Sequence, residues 1–90
     1  MTEDRETKIK RLRMRSMRRG IKEMDVILSA FADQHLTGFS DEALVTYDAL
    51  LSENDHDIYG WVTGQIAPPA QYQEIVADVT DLASGLTRPA

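Results

Sequence analysis

Met17, Ile21, Met24, Leu28, Phe31 and His35 recur at alternating steps of four and three, with Ile27 beside them. Only a helix of about 3.6 residues per turn gathers such a series on one face. The stripe predicts an amphipathic helix that ends near "HLTG", where Gly38 is a natural stop. No segment alternates apolar and polar residues with period two, so no sheet is expected.

The remaining segments repeat the helical reading. "ETKIKRLRMRSM" carries Ile9, Leu12, Met14 and Met17 among many charges and predicts a weak first helix, frayed at its start. In "FSDEALVTYDALLSEND", Ser40 is a good N-cap, and Asp41 and Glu42 suit the positive end of the helix dipole. Phe39 can staple onto Leu44, while Leu44, Tyr47, Leu50 and Leu51 form the buried face. Asn54 or Asp55 caps a short helix offering Ile58, Tyr59, Trp61 and Val62, which stops at Gly64. Pro68 and Pro69 make a stiff connector, with Pro69 at the first turn of a last helix. That helix presents Tyr72, Ile75, Val76, Val79, Leu82 and Leu86. The expected fold is all-α, a small antiparallel bundle of five helices. It occupies residues 1–90 as one domain, with about 1–8 and 85–90 as frayed ends.

Charge is distributed unevenly. Nine of the ten basic residues lie between Arg5 and Lys22, in a stretch with three acids from Glu3 onward. From Glu23 on there are twelve acids and one base, Arg88. The chain therefore runs from a net charge of +6 (nine minus three) to one of −11 (one minus twelve). The basic stretch can contact nucleic acid, or it can fold back on the acidic body or dock on an acidic protein. The second reading is favoured, because a net-acidic domain repels phosphate.

Several functions are excluded or poorly supported. Without cysteine there is no disulfide, zinc thiolate or cysteine nucleophile. No apolar run reaches the length of a membrane span, and no secretory h-region opens the chain. Glu3, Asp4 and Glu6 argue against a transit peptide, so a cytoplasmic protein is expected. Phosphate-binding glycine loops, HExxH and GxSxG are missing. His35 reads as a packed helix-end residue, and His56 between Asp55 and Asp57 as part of a helix start rather than a metal site. Met17 and Met24 read as core, and Trp61 as a core anchor.

"RRGIKEMD", residues 18–25, does not fit so simply. If the long helix includes it, Gly20 costs ~1 kcal/mol relative to alanine. Arg19 and Glu23 then lie about 40° apart on the wheel and form an outward ridge with Val26. An exposed Arg–Glu pair contributes only ~0.3–0.5 kcal/mol and does not offset the glycine. A glycine on the border of that ridge is explained by close approach of something to the backbone, either the first helix or another protein.

The same octapeptide resembles the Arg-Gly-x-x-Glu signature of a family of flavoprotein assembly factors, the bacterial SdhE proteins and the mitochondrial succinate dehydrogenase assembly factor 2. The likeness continues through "SDEALVTYDALLSENDHDIYGW", in which Leu50-Leu51, Asp55, Asp57, Ile58-Tyr59 and Trp61 follow the family layout. It covers about residues 10 to 83 and departs at "GWVTGQIAPPA", where the family more often has a polar and basic connector.

The resemblance implies a five-helix accessory factor, not an enzyme. It would bind the flavoprotein subunit of succinate dehydrogenase, and in some bacteria that of fumarate reductase, and promote covalent attachment of FAD. The flavin and its acceptor histidine would belong to the client, with no cofactor bound stably here. By position, Arg19, Gly20 and Glu23 are the expected partner-binding residues, with Asp25 a weaker candidate. Arg19 would offer a planar fork to the client and Gly20 a close backbone approach. No catalytic or metal residues, no nucleic acid and a monomer are expected. The alternative is a small nucleic-acid-binding protein using Arg11, Arg13, Arg15 and Arg18 of the basic helix.

Overall fold

In the computed structural model, which describes residues 3–87, five α-helices and two 3-10 turns share one core. The helices are α1 (Arg5–Arg15), α2 (Lys22–His35), α3 (Asp41–Leu51), α4 (Asp55–Val62) and α5 (Gln73–Thr87). No strand occurs among the described residues. Helix α2 lies at the centre, against α1, α4 and α5, and α3 packs on α1 and α5.

The apolar stripe of α2 is buried through Met24, Ile27, Leu28, Phe31 and Ala32. Phe31 packs against Tyr47 at 5.6 Å and edge-on against Phe39 at 5.7 Å between ring centroids. Each expected residue of the α3 face is buried, and Ser40 Oγ accepts the Ala43 N–H at 3.1 Å. Asn54 is the cap of α4, through its side-chain oxygen and the His56 N–H, which releases Asp55 for another role. Trp61 is buried against Tyr72, at 5.7 Å between rings.

After α4 the chain reverses at Gly64, whose φ of 81° favours glycine. The Gln65 and Ile66 N–H groups both donate to the Gly60 carbonyl. Ile66 thereby lies over Gly60, where a Cβ would come within 2.9 Å of Ile66 Cδ1. Pro69 precedes a 3-10 turn (Ala70–Tyr72) instead of opening α5 directly.

The reading of the long stripe needs correction. The long stripe is not one helix: α1 stops at Arg15 and α2 starts at Lys22. Ser16 closes α1, Arg18 adopts a left-handed φ of 56°, and residues 16–21 turn the chain so that Leu12 and Phe31 enter the same core. Met17 therefore lies outside the helix and is half exposed, and Ile21 is only partly buried. His35 sits at the helix end with its ring 4.9 Å from Phe31 but is exposed.

The first residues differ as well. Helix α1 is formed from Arg5, capped by Asp4, whose Oδ1 accepts the Thr7 N–H at 2.7 Å. At the other end α5 continues through Thr87; residues 88–90 of the expected frayed end lie outside the described residues, as does the Leu86 side chain.

The basic stretch folds back on the acidic body. Arg5 pairs with Asp41, Arg13 with Asp33, and Arg11 and Arg15 share Asp48. Arg11 and Arg15 are four residues apart, so they lie on one face of α1 and reach the same carboxylate on α3. Hydrogen bonding and charge from Arg11, reinforced by Arg15, hold the Asp48 carboxyl below the usual range.

Candidate functional site

The turn between α1 and α2 carries the Arg-Gly pair, and a carboxylate from α4 organises it. Asp55 is the first residue of α4, where the helix dipole favours negative charge. Its Oδ2 accepts the Gly20 N–H at 2.6 Å. Its Oδ1 lies 2.8 Å from Arg19 Nε and 2.7 Å from Nη2.

Arg19 does more than pair with Asp55. Its Nη1 donates to the Arg15 carbonyl at 2.8 Å and its Nη2 to the Leu51 carbonyl at 2.9 Å. Those carbonyls belong to the last residues of α1 and α3, which lack onward helical donors. One planar guanidinium thus joins the C-terminal ends of two helices to the N-terminal end of a third. A lysine has no fork to reproduce this. The side chains are largely enclosed, 11% exposed for Arg19 and 17% for Asp55.

Gly20 is not in a helix, so the helical cost inferred from its position does not arise. A Cβ there would lie 3.0 Å from Asp55 Oδ2. The close approach is by a carboxylate of the same chain. Asp25 is also occupied internally: its Oδ1 accepts the Arg18 N–H at 2.8 Å, which supports the left-handed residue of the turn.

Glu23 stands apart from the other three. Its side chain is exposed in the first turn of α2, and among the described residues no hydrogen bond or ion pair engages that side chain. The Arg19–Glu23 ridge does not exist, because Arg19 precedes the helix and turns inward. Glu23 instead borders a groove of about 660 Å³ between α2, α4 and α5, lined by Val26, Ile27, Tyr59, Val62 and Ala83. Val26, on the expected outward side, is 55% exposed.

Sequence reasoning missed Asp55 and the groove. Asparagine beside aspartate at a helix start was the available signal for Asp55: once Asn54 caps, Asp55 is free to bond elsewhere. His56 and Asp57 are exposed neighbours of Asp55, and no group of three or more His, Asp or Glu among the described residues is arranged to hold a metal.

Fold and site together define a small helical domain with a latched turn beside an open apolar groove. Residues 10–83 match the family profile described as flavinator of succinate dehydrogenase, and the chain belongs to that family. A protein named succinate dehydrogenase assembly factor 2, mitochondrial, from Meyerozyma guilliermondii is 54% identical over 61 residues, covering 68% of this chain and 45% of its own. Its namesake in Penicillium rubens is 40% identical over 80 residues, 84% of this chain and 26% of the relative. Drosophila yakuba has an assembly factor 2-A, also named mitochondrial, at 44% over 69 residues, 74% of this chain and 43% of the relative. The chain spans less than half the length of each of these relatives.

Proposed function

We propose that this chain binds the flavoprotein subunit of succinate dehydrogenase and promotes covalent attachment of FAD to it. Family membership supports the client class, and the carrying structural observation is the Glu23 side chain, exposed at the rim of an apolar groove and unengaged among the described residues. An apolar groove with a charged rim suits a protein segment whose buried side chains give affinity and whose polar groups give orientation. The flavoprotein subunit of fumarate reductase is a second client in this reading.

The role is accessory. FAD and the histidine that receives it belong to the client, and this chain binds no cofactor stably. It contributes by holding client segments in the geometry in which flavin and histidine meet, an entropic and electrostatic contribution made through a surface. The factor acts as a monomer in the cytoplasm, although the relatives are mitochondrial by name.

Nucleic acid is not a partner in this reading. Arg11, Arg13 and Arg15 of the basic helix face carboxylates of the same chain. The experiment is a reconstitution of purified client, free FAD and this chain, read by flavin fluorescence of the denatured client band. Attachment that rises with added chain supports the proposal. Attachment at the same rate without it, or retardation of a nucleic acid with a steep salt dependence, refutes it.

A further inference from the structure

We infer that Asp55 is the positioning residue of the docking groove, and that Arg19 serves the client only through Asp55, from inside the molecule. The inference rests on the client-binding reading above.

The placement of the latch carries it. Gly20, held by one Asp55 oxygen, lies two residues before α2 begins and three before Glu23. Asp55 lies one helical turn before Tyr59 on α4. Glu23 and Val26 line the groove from α2, Tyr59 and Val62 line it from α4, and Thr80 and Ala83 line it from α5. The Asp55 carboxylate therefore ties the start of α4 to the segment that leads into α2, two of the three helices that line the groove.

Arg19 holds that carboxylate in place. Its bonds to the Arg15 and Leu51 carbonyls fix the guanidinium on two helix ends, and Oδ1 of Asp55 meets it at 2.7–2.8 Å. At 11% exposure the fork has little surface to give a partner. Without Asp55, nothing described joins Gly20 to α4; without Arg19, that carboxylate loses the guanidinium that fixes it, and the spacing of α2 and α4 along the groove is left to core packing. A groove of undefined width receives a client segment less often in the right shape, which weakens binding but leaves the bound geometry unchanged.

The test is a double-mutant cycle in the reconstitution with full-length chain, client flavoprotein and FAD. The variants are Arg19→Gln, Asp55→Asn and the pair, each checked for helical content at the assay temperature. Arg19→Lys, which keeps the charge but not the fork, replaces Arg19→Gln if that variant does not fold. Each single change should raise the concentration of chain giving half-maximal attachment by roughly tenfold, leave the saturating rate unchanged, and combine without adding. A parallel measurement on the chain alone follows exchange of the Gly20 amide proton, which should quicken in both single variants.

Wild-type binding by Asp55→Asn beside a defective Arg19→Gln overturns the inference and makes Arg19 a direct contact. Additive effects overturn it equally. If the wild-type chain promotes no attachment, the client-binding reading falls and takes the docking role with it. The latch itself is then judged by the Gly20 amide, and its continued protection in Arg19→Gln refutes it.

Discussion

The hydroxyl of Tyr47, a fully buried residue of α3, lies 2.6 Å from Ser16 Oγ at the end of α1. Ser16 Oγ donates to the Leu12 carbonyl at 2.8 Å, so its single proton is used there and Tyr47 is the donor to Ser16. The bond fixes the point at which α1 stops and the Arg-Gly turn begins.

Removing that hydroxyl tests its worth. Tyr47→Phe keeps the ring and leaves Ser16 bonded to Leu12, so stability should fall by only ~0.5–1.5 kcal/mol in urea unfolding. Burial pushes the Tyr47 phenol up to about 12. A raised folded value means that the native state keeps a proton the unfolded chain loses. The contribution is complete below the ordinary tyrosine value of about 10 and is lost as pH rises toward 12. Phenolate absorbance of the folded protein should show this tyrosine ionising well after an unburied one, and Tyr47→Phe should remove that late step.

Acid acts through Asp48 in the opposite direction. Its folded value is lowered, chiefly by the hydrogen bond from Arg11. The associated stability is present above the unfolded carboxylate value of about 4 and is lost as pH falls through the lower folded value. Asp48→Asn should reduce stability at neutral pH and flatten its acid dependence. Unfolding midpoints measured from pH 2 to pH 7 would check both effects, and high salt should narrow the difference between the proteins.

Deletion of residues 1–8 should lower the melting temperature by a few degrees without abolishing the fold. The deletion removes the Asp4 cap and the Arg5 side chain, which bonds to Asp41 and to the Thr37 and Phe39 carbonyls. It spares Leu12, the one fully buried side chain of α1. An unchanged melting temperature would show these terminal contacts to be without energetic weight, as exposed pairs often are.

Gly20→Ala should destabilise the isolated chain by ~1–3 kcal/mol. The new Cβ would sit 3.0 Å from Asp55 Oδ2, and Arg19 restrains that carboxylate from moving aside. The loss should largely vanish in an Asp55→Ala background, where the obstructing carboxylate is gone. A thermal melt of the four proteins measures the coupling.

Local rules made much of this protein legible before its structure. Helical spacing identified the buried faces of α2, α3 and α5, and Ser40, Asn54 and Gly64 marked helix boundaries, because periodicity and capping involve neighbours in sequence. The signature residues Arg19, Gly20, Glu23 and Asp25 were also visible, but their division of labour was not. A run that reads as one helix is broken at residues 16–21, since only a turn there lets Leu12 and Phe31 share a core. The turn then aims Arg19 at Asp55, thirty-six residues away, and leaves Glu23 on the surface. No periodicity encodes that pairing, because it depends on where three helix ends converge. The sequence by itself determined five helices and an arginine beside a glycine; the tertiary structure decided that the arginine faces inward, by bringing two helix-end carbonyls and one carboxylate within reach of a single guanidinium.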